Sequence, residues 1–251
     1  MVQGGEQKYK KIMGLWSEDD KWCDDKESIS TMALAYFQNI YTTTSPSCIE
    51  EITRAIPMRI TREMNKELIR PFTREDVTKA LHQIHPTKAP SPDGMSAIFF
   101  YKYWSIVGTD ITNMVLNVLN QNFPMVAINK TNIVLIPKTI HPSKMTEFRP
   151  ISLCNMAYKF ISKTLANRLK AILPTVITKN QSAFTSDRLI INNVLVAFEL
   201  MHYLNHKIDE KDCFMSVKLD MSKAFDRVEW GFVRGVMERL GFDGKWISLI
   251  M

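Results

Sequence analysis

The strongest constraint on the fold is a short alternating segment that ends in an aspartate. Residues 213 to 219 place Cys213, Met215, Val217 and Leu219 on one face and Phe214, Ser216 and Lys218 on the other. This period of two is typical of a β-strand. Asp220 comes next, so we expect its carboxylate where the strand opens into a turn. Such a group suits a hard cation like Mg²⁺, although a strand-end aspartate is more often a turn former or a helix cap.

The positive charge is concentrated in the second half of the chain. Residues 1–130 carry 15 basic and 15 acidic side chains, whereas residues 131–251 carry 17 and 11. Between 137 and 188, only Glu147 and Asp187 oppose nine lysines and arginines. Such a stretch is typical of binding to phosphate backbones or nucleotides. The alternative is a solvated helix face, with Lys159, Lys163, Arg168 and Lys170 directed to water.

Cysteine spacing and hydropathy indicate the compartment. The four cysteines lack CxxC spacing, which favours free buried thiols over a zinc site. No apolar run is long enough to span a bilayer, and the first residues lack the apolar core of a secretory signal. We therefore expect an intracellular protein, nuclear or cytoplasmic, in a reducing environment and without a membrane partner.

Apolar periodicity predicts a helix-rich α+β protein. A capping pair, Thr73 with Asp76, starts one helix, and a second pair, Asp226 with Glu229, is expected to start another that Gly241 ends. A short β-branched strand is expected at 132–136. Further helices are predicted around residues 29–40 with Ser28 or Ser30 as the cap, at 109–122, from about 156 to Pro174, and at 189–204.

Five segments resemble motifs of one polymerase family. The run from Lys218 to Asp226 is similar to motif A of reverse transcriptases from plant LINE-type (non-LTR) retrotransposons: a strand, Asp, four residues, an aromatic ring and Asp. Four more segments are similar to its fingers motifs and occur in the family's order: Ile133–Lys138, Phe148–Asn155, Leu165–Leu169 and Gln181–Phe184. Asp187, however, stands where the family usually has glycine before the arginine that corresponds to Arg188.

The resemblance implies a partial right-hand polymerase, comprising the fingers and the first palm strand. On this basis residues 1–70 would form an N-terminal helical extension or linker. Residues 71–130 would be a helical segment that precedes the fingers. Residues 131–251 would contain the fingers and an incomplete palm.

The resemblance also implies roles for individual residues. Asp220 would bind the catalytic Mg²⁺ or Mn²⁺ ions, and Asp226 is interpreted as a helix cap. The substrates and partners would be an RNA template, a DNA primer and a dNTP. Lys138 and Arg149 would grip the triphosphate, Phe225 would be the steric gate under the sugar, and Gln181, Phe184 and Arg188 would lie near the template.

The sequence lacks a second carboxylate motif of this family. Only 31 residues follow Asp220, and no Tyr-Ala-Asp-Asp or related paired-aspartate hairpin occurs. Two-metal phosphoryl transfer needs more than one carboxylate. We therefore expect a reverse transcriptase fragment truncated after motif A, catalytically incomplete and poor at retaining its metals. A non-catalytic RNA- or DNA-binding remnant and a product without retained function stay open as alternatives.

Overall fold

A computed structural model describes most of the chain, in two compact units. We call them the hairpin unit, formed by the described part of 1–44 with 131–154, and the helical unit, formed by that of 45–130 with 155–251. No helix in the described residues is long and apolar enough to cross a membrane. The described residues are 12–87, 93–126, 128–183, 185, 188–206 and 215–251.

The hairpin unit is built on one long antiparallel pair of strands. Strand β3 (Thr131–Pro137) pairs with β4 (Phe148–Cys154), from Thr131 opposite Cys154 to Pro137 opposite Phe148. A 3₁₀ turn, Met145–Glu147, precedes β4. The predicted strand at 132–136 is thus confirmed with slightly wider bounds. Its partner β4 was not expected, because Pro150 interrupts its apolar pattern.

The N-terminal stretch supplies the rest of this unit. Two-residue strands β1 (Leu15–Trp16) and β2 (Trp22–Cys23) pair with each other, and helix α1 spans Lys26–Tyr41. The N-cap of α1 is Asp25, whose carboxylate accepts from the Ser28 amide at 2.8 Å. The prediction of Ser28 or Ser30 as the cap was therefore wrong. The core joins buried Leu15, Met145 and Phe148 to one face of α1.

The helical unit holds nine helices among the residues that the structure describes. These helices are α2 (Ile49–Thr53), α3 (Arg62–Ile69), α4 (Arg74–Gln83), α5 (Ala97–Gln121), α6 (Met156–Lys170), α7 (Leu173–Val176), α8 (Ile190–His206), α9 (Trp230–Leu240) and α10 (Gly244–Ile250). Helix α4 starts with the predicted capping box, in which the side chains of Thr73 and Asp76 each accept from the other residue's amide.

Large rings fill the core of the helical unit. Phe160 of α6 and Trp246 of α10 are completely buried. The Phe160 ring lies 5.4 Å from that of Phe100 and 5.9 Å from that of Trp104, both on α5. Helix α5 departs from helical geometry at Tyr103, between these two rings. The contact between α5 and α6 is therefore an aromatic one, and it joins residues far apart in the sequence.

Asn65 links α3 to the connection between α9 and α10. Its side-chain amide donates to the Gly241 carbonyl at 2.8 Å, and its carbonyl accepts from the Asp243 amide at 2.8 Å. Gly241 adopts φ 91°, as expected for the residue that closes a helix. The predicted end of α9 is thus confirmed. Helix α10 was not predicted, although Asp243 caps it by accepting from the Lys245 amide.

The predicted strand at 213–219 is wrong for the part that the structure describes. Residues 215–220 have no regular secondary structure, while residues 213–214 lie outside the described range. Met215 and Leu219 are 84% and 87% exposed. A strand is held by hydrogen bonds to a neighbour. An alternating pattern therefore gives a strand only where a partner edge is available.

Three further expectations fail. Helix α8 forms at about the predicted place, but none of its residues is buried, including the expected core residue Phe198 at 69% exposed. Asp226 does not cap α9, whose N-cap is Glu229. The free thiols are not buried either, since Cys48 is exposed and Cys23 and Cys154 are half-buried; Cys213 lies outside the described residues.

Replacement of Phe160 by alanine should strongly destabilise the helical unit. Removal of a fully buried ring leaves a cavity and typically costs roughly 3–5 kcal/mol of unfolding free energy. Urea unfolding followed by far-UV circular dichroism measures this loss. Phe123→Ala is the matched control, because that ring is 58% exposed and should change stability by no more than about 0.5 kcal/mol. Equal losses in the two variants would contradict the packing described.

Candidate nucleic-acid and nucleotide interface

Lys138 and Arg149 lie on one face of the β3–β4 hairpin. Arg149 is paired with Ile136 across the ladder, and Lys138 lies two residues beyond Ile136. Because side chains alternate along a strand, Lys138, Ile136 and Arg149 project from the same face. Phe148 projects from the other face into the core and is 2% exposed. Both cations are exposed, so the hairpin presents them on the side away from its core.

The main chain and the side chain of Lys138 are both anchored to the turn before β4. Its amide donates to the Glu147 carbonyl and its ammonium Nζ to the Thr146 carbonyl, each at 2.8 Å. The Glu147 carboxylate in turn accepts from the amides of Ser143 (2.6 Å) and Lys144 (3.2 Å). These amide bonds, that of Ser143 foremost, lower the pKa of Glu147. The turn thus positions the Lys138 ammonium, which keeps further N–H donors for an anion.

The Arg188 side chain contacts Gln181 at its main-chain carbonyl. The Arg188 guanidinium donates to the Gln181 carbonyl at 2.6 Å and to the Thr178 carbonyl. The arginine therefore bridges two main-chain carbonyls, and Ser182 and Thr185, close to it in the sequence, are buried. Phe184 and Asp187 lie outside the described residues.

Asp220 and Phe225 are both exposed on the irregular segment that precedes α9. The Phe225 ring is 92% exposed, and the Asp220 carboxylate has the same open setting. Within the described part of the chain, no three His, Cys, Asp or Glu side chains are grouped to hold a metal ion. Two-metal catalysis needs several converging oxygen ligands. The described residues around Asp220 therefore do not by themselves supply the ligands for the pair of metal ions that the resemblance implies.

Arg168 has a role that the sequence did not indicate. Its side chain is only 6% exposed, so the interpretation as a water-directed cation is wrong. Its guanidinium donates to the carbonyls of Leu68 (3.0 Å), Arg70 and Pro71 (3.3 Å), and it lies 3.3 Å from the centre of the Phe72 ring. The only sequence signal for this contact is that Arg168 lies four residues after Thr164 and three after Leu165, on the buried side of α6.

Asp76 completes the surroundings of Arg168. One carboxylate oxygen accepts from Arg168 Nη2 at 3.0 Å, and Arg70 approaches the same group at 3.4 Å. Burial alone would raise the pKa of Asp76, but the Thr73 amide and the two arginines outweigh it and hold that pKa below its usual value. Burial and the nearby Arg70 charge lower the pKa of Arg168. The Asp76 carboxylate is therefore both a helix cap and a counter-ion.

The helical unit also contains two open clefts. One, of about 440 Å³, lies beside the Arg168–Asp76 pair, between α3, α4 and α6. The other, of about 550 Å³, lies between the α3–α4 connection, the end of α5 and the start of α10. Glu63 and Glu67 oppose Arg70 and Lys79 in the lining of the first cleft. Neither cleft is lined by any of the six residues expected to bind metal, nucleotide or template that the structure describes.

Comparison with known proteins identifies a family. Residues 111–251 match the family described as reverse transcriptase (RNA-dependent DNA polymerase). The chain is 27% identical over 96% of its length to the transposon TX1 uncharacterized 149 kDa protein of Xenopus laevis, of which it covers 18%. It is 25% identical over 86% of its length to the Pol polyprotein from type-2 retrotransposable element R2DM of Drosophila melanogaster, of which it covers 19%.

A third relative is likewise named for a transposable element. The chain is 27% identical over 69% of its length to the Pol polyprotein from type-1 retrotransposable element R2 of Popillia japonica, of which it covers 23%. The chain thus spans about a fifth of the length of these curated relatives. The expectation of a plant-type element stays a prediction, as does the division at residues 70 and 130.

The stability of the helical unit should depend on pH through Asp76. Its pKa is lower in the folded state, so its stabilising contribution is complete above about pH 4 and is lost as the pH falls through the folded-state value. We expect Asp76→Asn to lower stability at neutral pH and to reduce the loss on acidification. Urea unfolding at pH 7 and at successively lower pH measures both effects.

Asp110→Asn is the control for this prediction. Asp110 is an exposed carboxylate of α5, so its substitution should leave the pH dependence of unfolding as it is in the parent chain. An equal acid-induced loss of unfolding free energy in Asp76→Asn and in the parent chain would show that the ion pair does not stabilise the unit.

Proposed function

We propose that this chain, which belongs to the reverse transcriptase (RNA-dependent DNA polymerase) family, is the template- and nucleotide-binding part of a non-LTR retrotransposon polymerase. The 251-residue polypeptide would bind RNA without extending a primer by itself. The observation that carries the proposal is the family match over 111–251, which includes every candidate site residue. Relatives whose names refer to retrotransposable elements support the element type.

Lys138 and Arg149 would bind phosphate groups. Their shared exposed face on the β3–β4 hairpin supports this role, since both charges project from the same side of one two-stranded element. A lysine acts as a compact point charge, and a planar guanidinium can bind two phosphate oxygens at once. In the polymerase this anion would be the triphosphate of the incoming dNTP. In the isolated polypeptide the same pair would hold an RNA phosphate.

Gln181, Phe184 and Arg188 would contact or shape the template site. The structure supports an indirect role for Arg188, because its guanidinium is already engaged by the carbonyls of Thr178 and Gln181. We assign it as a positioning residue that holds the loop carrying Gln181. Phe184 would offer a ring on which a base can stack.

Asp220 would be a ligand of Mg²⁺ or Mn²⁺ in the polymerase, and Phe225 would lie under the sugar of the dNTP. A bound metal would stabilise the charge that develops on phosphate oxygens during transfer. Asp220 supplies one carboxylate, and no paired-aspartate motif occurs in the 251 residues. This shortage of carboxylates is the reason to expect binding without polymerisation.

RNA binding by the polypeptide should depend on salt and on the hairpin cations. Each phosphate contact releases counterions, so affinity falls linearly with salt on a logarithmic scale, with a slope of about −0.7 per contact for a single strand. We expect the double charge reversal Lys138→Glu with Arg149→Glu to weaken binding. The magnitude of the salt slope should fall by about 1.4, the amount that corresponds to two lost contacts. Fluorescence anisotropy with a labelled RNA at several salt concentrations measures both quantities.

Lys26→Glu is the matched control for the hairpin cations. Lys26 is an exposed cation of the same unit, at the start of α1. The Lys26→Glu substitution reverses a charge without changing the hairpin face. It should therefore leave the dependence of RNA affinity on salt as in the parent chain. An unchanged affinity in the double variant, or an equal loss in Lys26→Glu, would contradict the assigned site.

A further inference from the structure

We propose that His202 and His206 at the end of α8 form a binding site for a transition-metal dication. The two residues are one helical turn apart, so their side chains lie on the same side of the helix. Their imidazole rings are stacked, with centroids 4.0 Å apart and planes inclined by 25°. Both side chains are exposed. The rings are therefore within reach of one ion. Rotation of the His202 side chain out of the stack would let both imidazoles direct a ring nitrogen at that ion without a change in the helix.

The hydrogen bond of His206 fixes the nitrogen that can bind the metal. His206 Nδ1 lies 2.8 Å from the main-chain carbonyl of His202. A carbonyl oxygen only accepts, so Nδ1 carries the proton and Nε2 carries the lone pair. Histidines that bind metals typically donate their other ring N–H to a carbonyl or carboxylate in this way. The tautomer of His206 is thus already the one that a metal ligand requires.

The donor set indicates which ions would bind. Imidazole nitrogen suits Ni²⁺, Cu²⁺ and Zn²⁺, whereas Mg²⁺ and Ca²⁺ prefer oxygen. Two imidazoles would occupy neighbouring coordination positions, and water would complete the coordination. This site is therefore chemically distinct from the oxygen-ligand chemistry proposed for Asp220.

Metal binding would stabilise the last turn of α8. No residue of this helix is buried, so tertiary packing contributes little to holding its end. A helix with little packing depends on its local interactions and frays at its termini. An ion held by His202 and His206 would cross-link consecutive turns, and binding to the helical form would favour that form.

Nickel titration of the tag-free chain tests the proposal. Isothermal titration calorimetry should detect one Ni²⁺ site that either His202→Ala or His206→Ala weakens roughly 10- to 100-fold, because loss of one imidazole removes the chelate. Far-UV circular dichroism gives a second readout. Ni²⁺ should increase the helix signal of the parent chain but not that of the two variants.

The control is the double variant His82→Ala with His85→Ala. These residues are also close in sequence, but the His82 ring packs edge-on against Tyr101, and His85 Nδ1 is engaged by Thr87. This variant should bind Ni²⁺ as the parent chain does. The proposal is overturned if His202→Ala and His206→Ala keep the parent affinity, or if the control variant loses it.

Discussion

The guanidinium of Arg168 organises the part of the helical unit that surrounds it. From α6 it donates to three carbonyls at or just beyond the end of α3, covers the Phe72 ring and pairs with Asp76 at the start of α4. Carbonyls at the end of a helix have no partner within the helix, and they are costly when removed from water. A single side chain thus fixes where three helices meet. Phe160 lies on the same helix and packs toward α5.

This interaction divides the basic stretch into structural and available charges. Arg168 and Arg188 are engaged by carbonyl groups of the chain itself. Lys138 and Arg149 project from an exposed hairpin face instead. Lys138 Nζ also bonds one carbonyl, that of Thr146, but its ammonium keeps further N–H donors for an anion. Count and spacing of basic residues do not distinguish these cases, because the distinction depends on which carbonyls the fold places nearby. The functional assignment therefore rests on the hairpin pair more than on the net charge.

Only local chemistry could be predicted, and not all of it, because the expected caps Ser28 or Ser30 and Asp226 were wrong. The Thr73–Asp76 capping box, the strand at 132–136 and the glycine that ends α9 depend on neighbours in sequence, and all three are present. The alternating pattern before Asp220 depends on a partner edge and fails in residues 215–219. The joining of α1 to the β3–β4 hairpin and the environment of Arg168 depend on contacts across about 100 residues. No local pattern indicates such contacts.

Primer extension tests the proposed function most directly. The purified polypeptide, shown to bind an RNA template annealed to a DNA primer, is supplied with dNTPs and Mg²⁺ or Mn²⁺, beside the variant Asp220→Ala. The proposal predicts a bound template and no extended primer in either sample. Extension by the parent chain that Asp220→Ala abolishes would contradict it, because one carboxylate would then have been sufficient or a second one would have converged on Asp220.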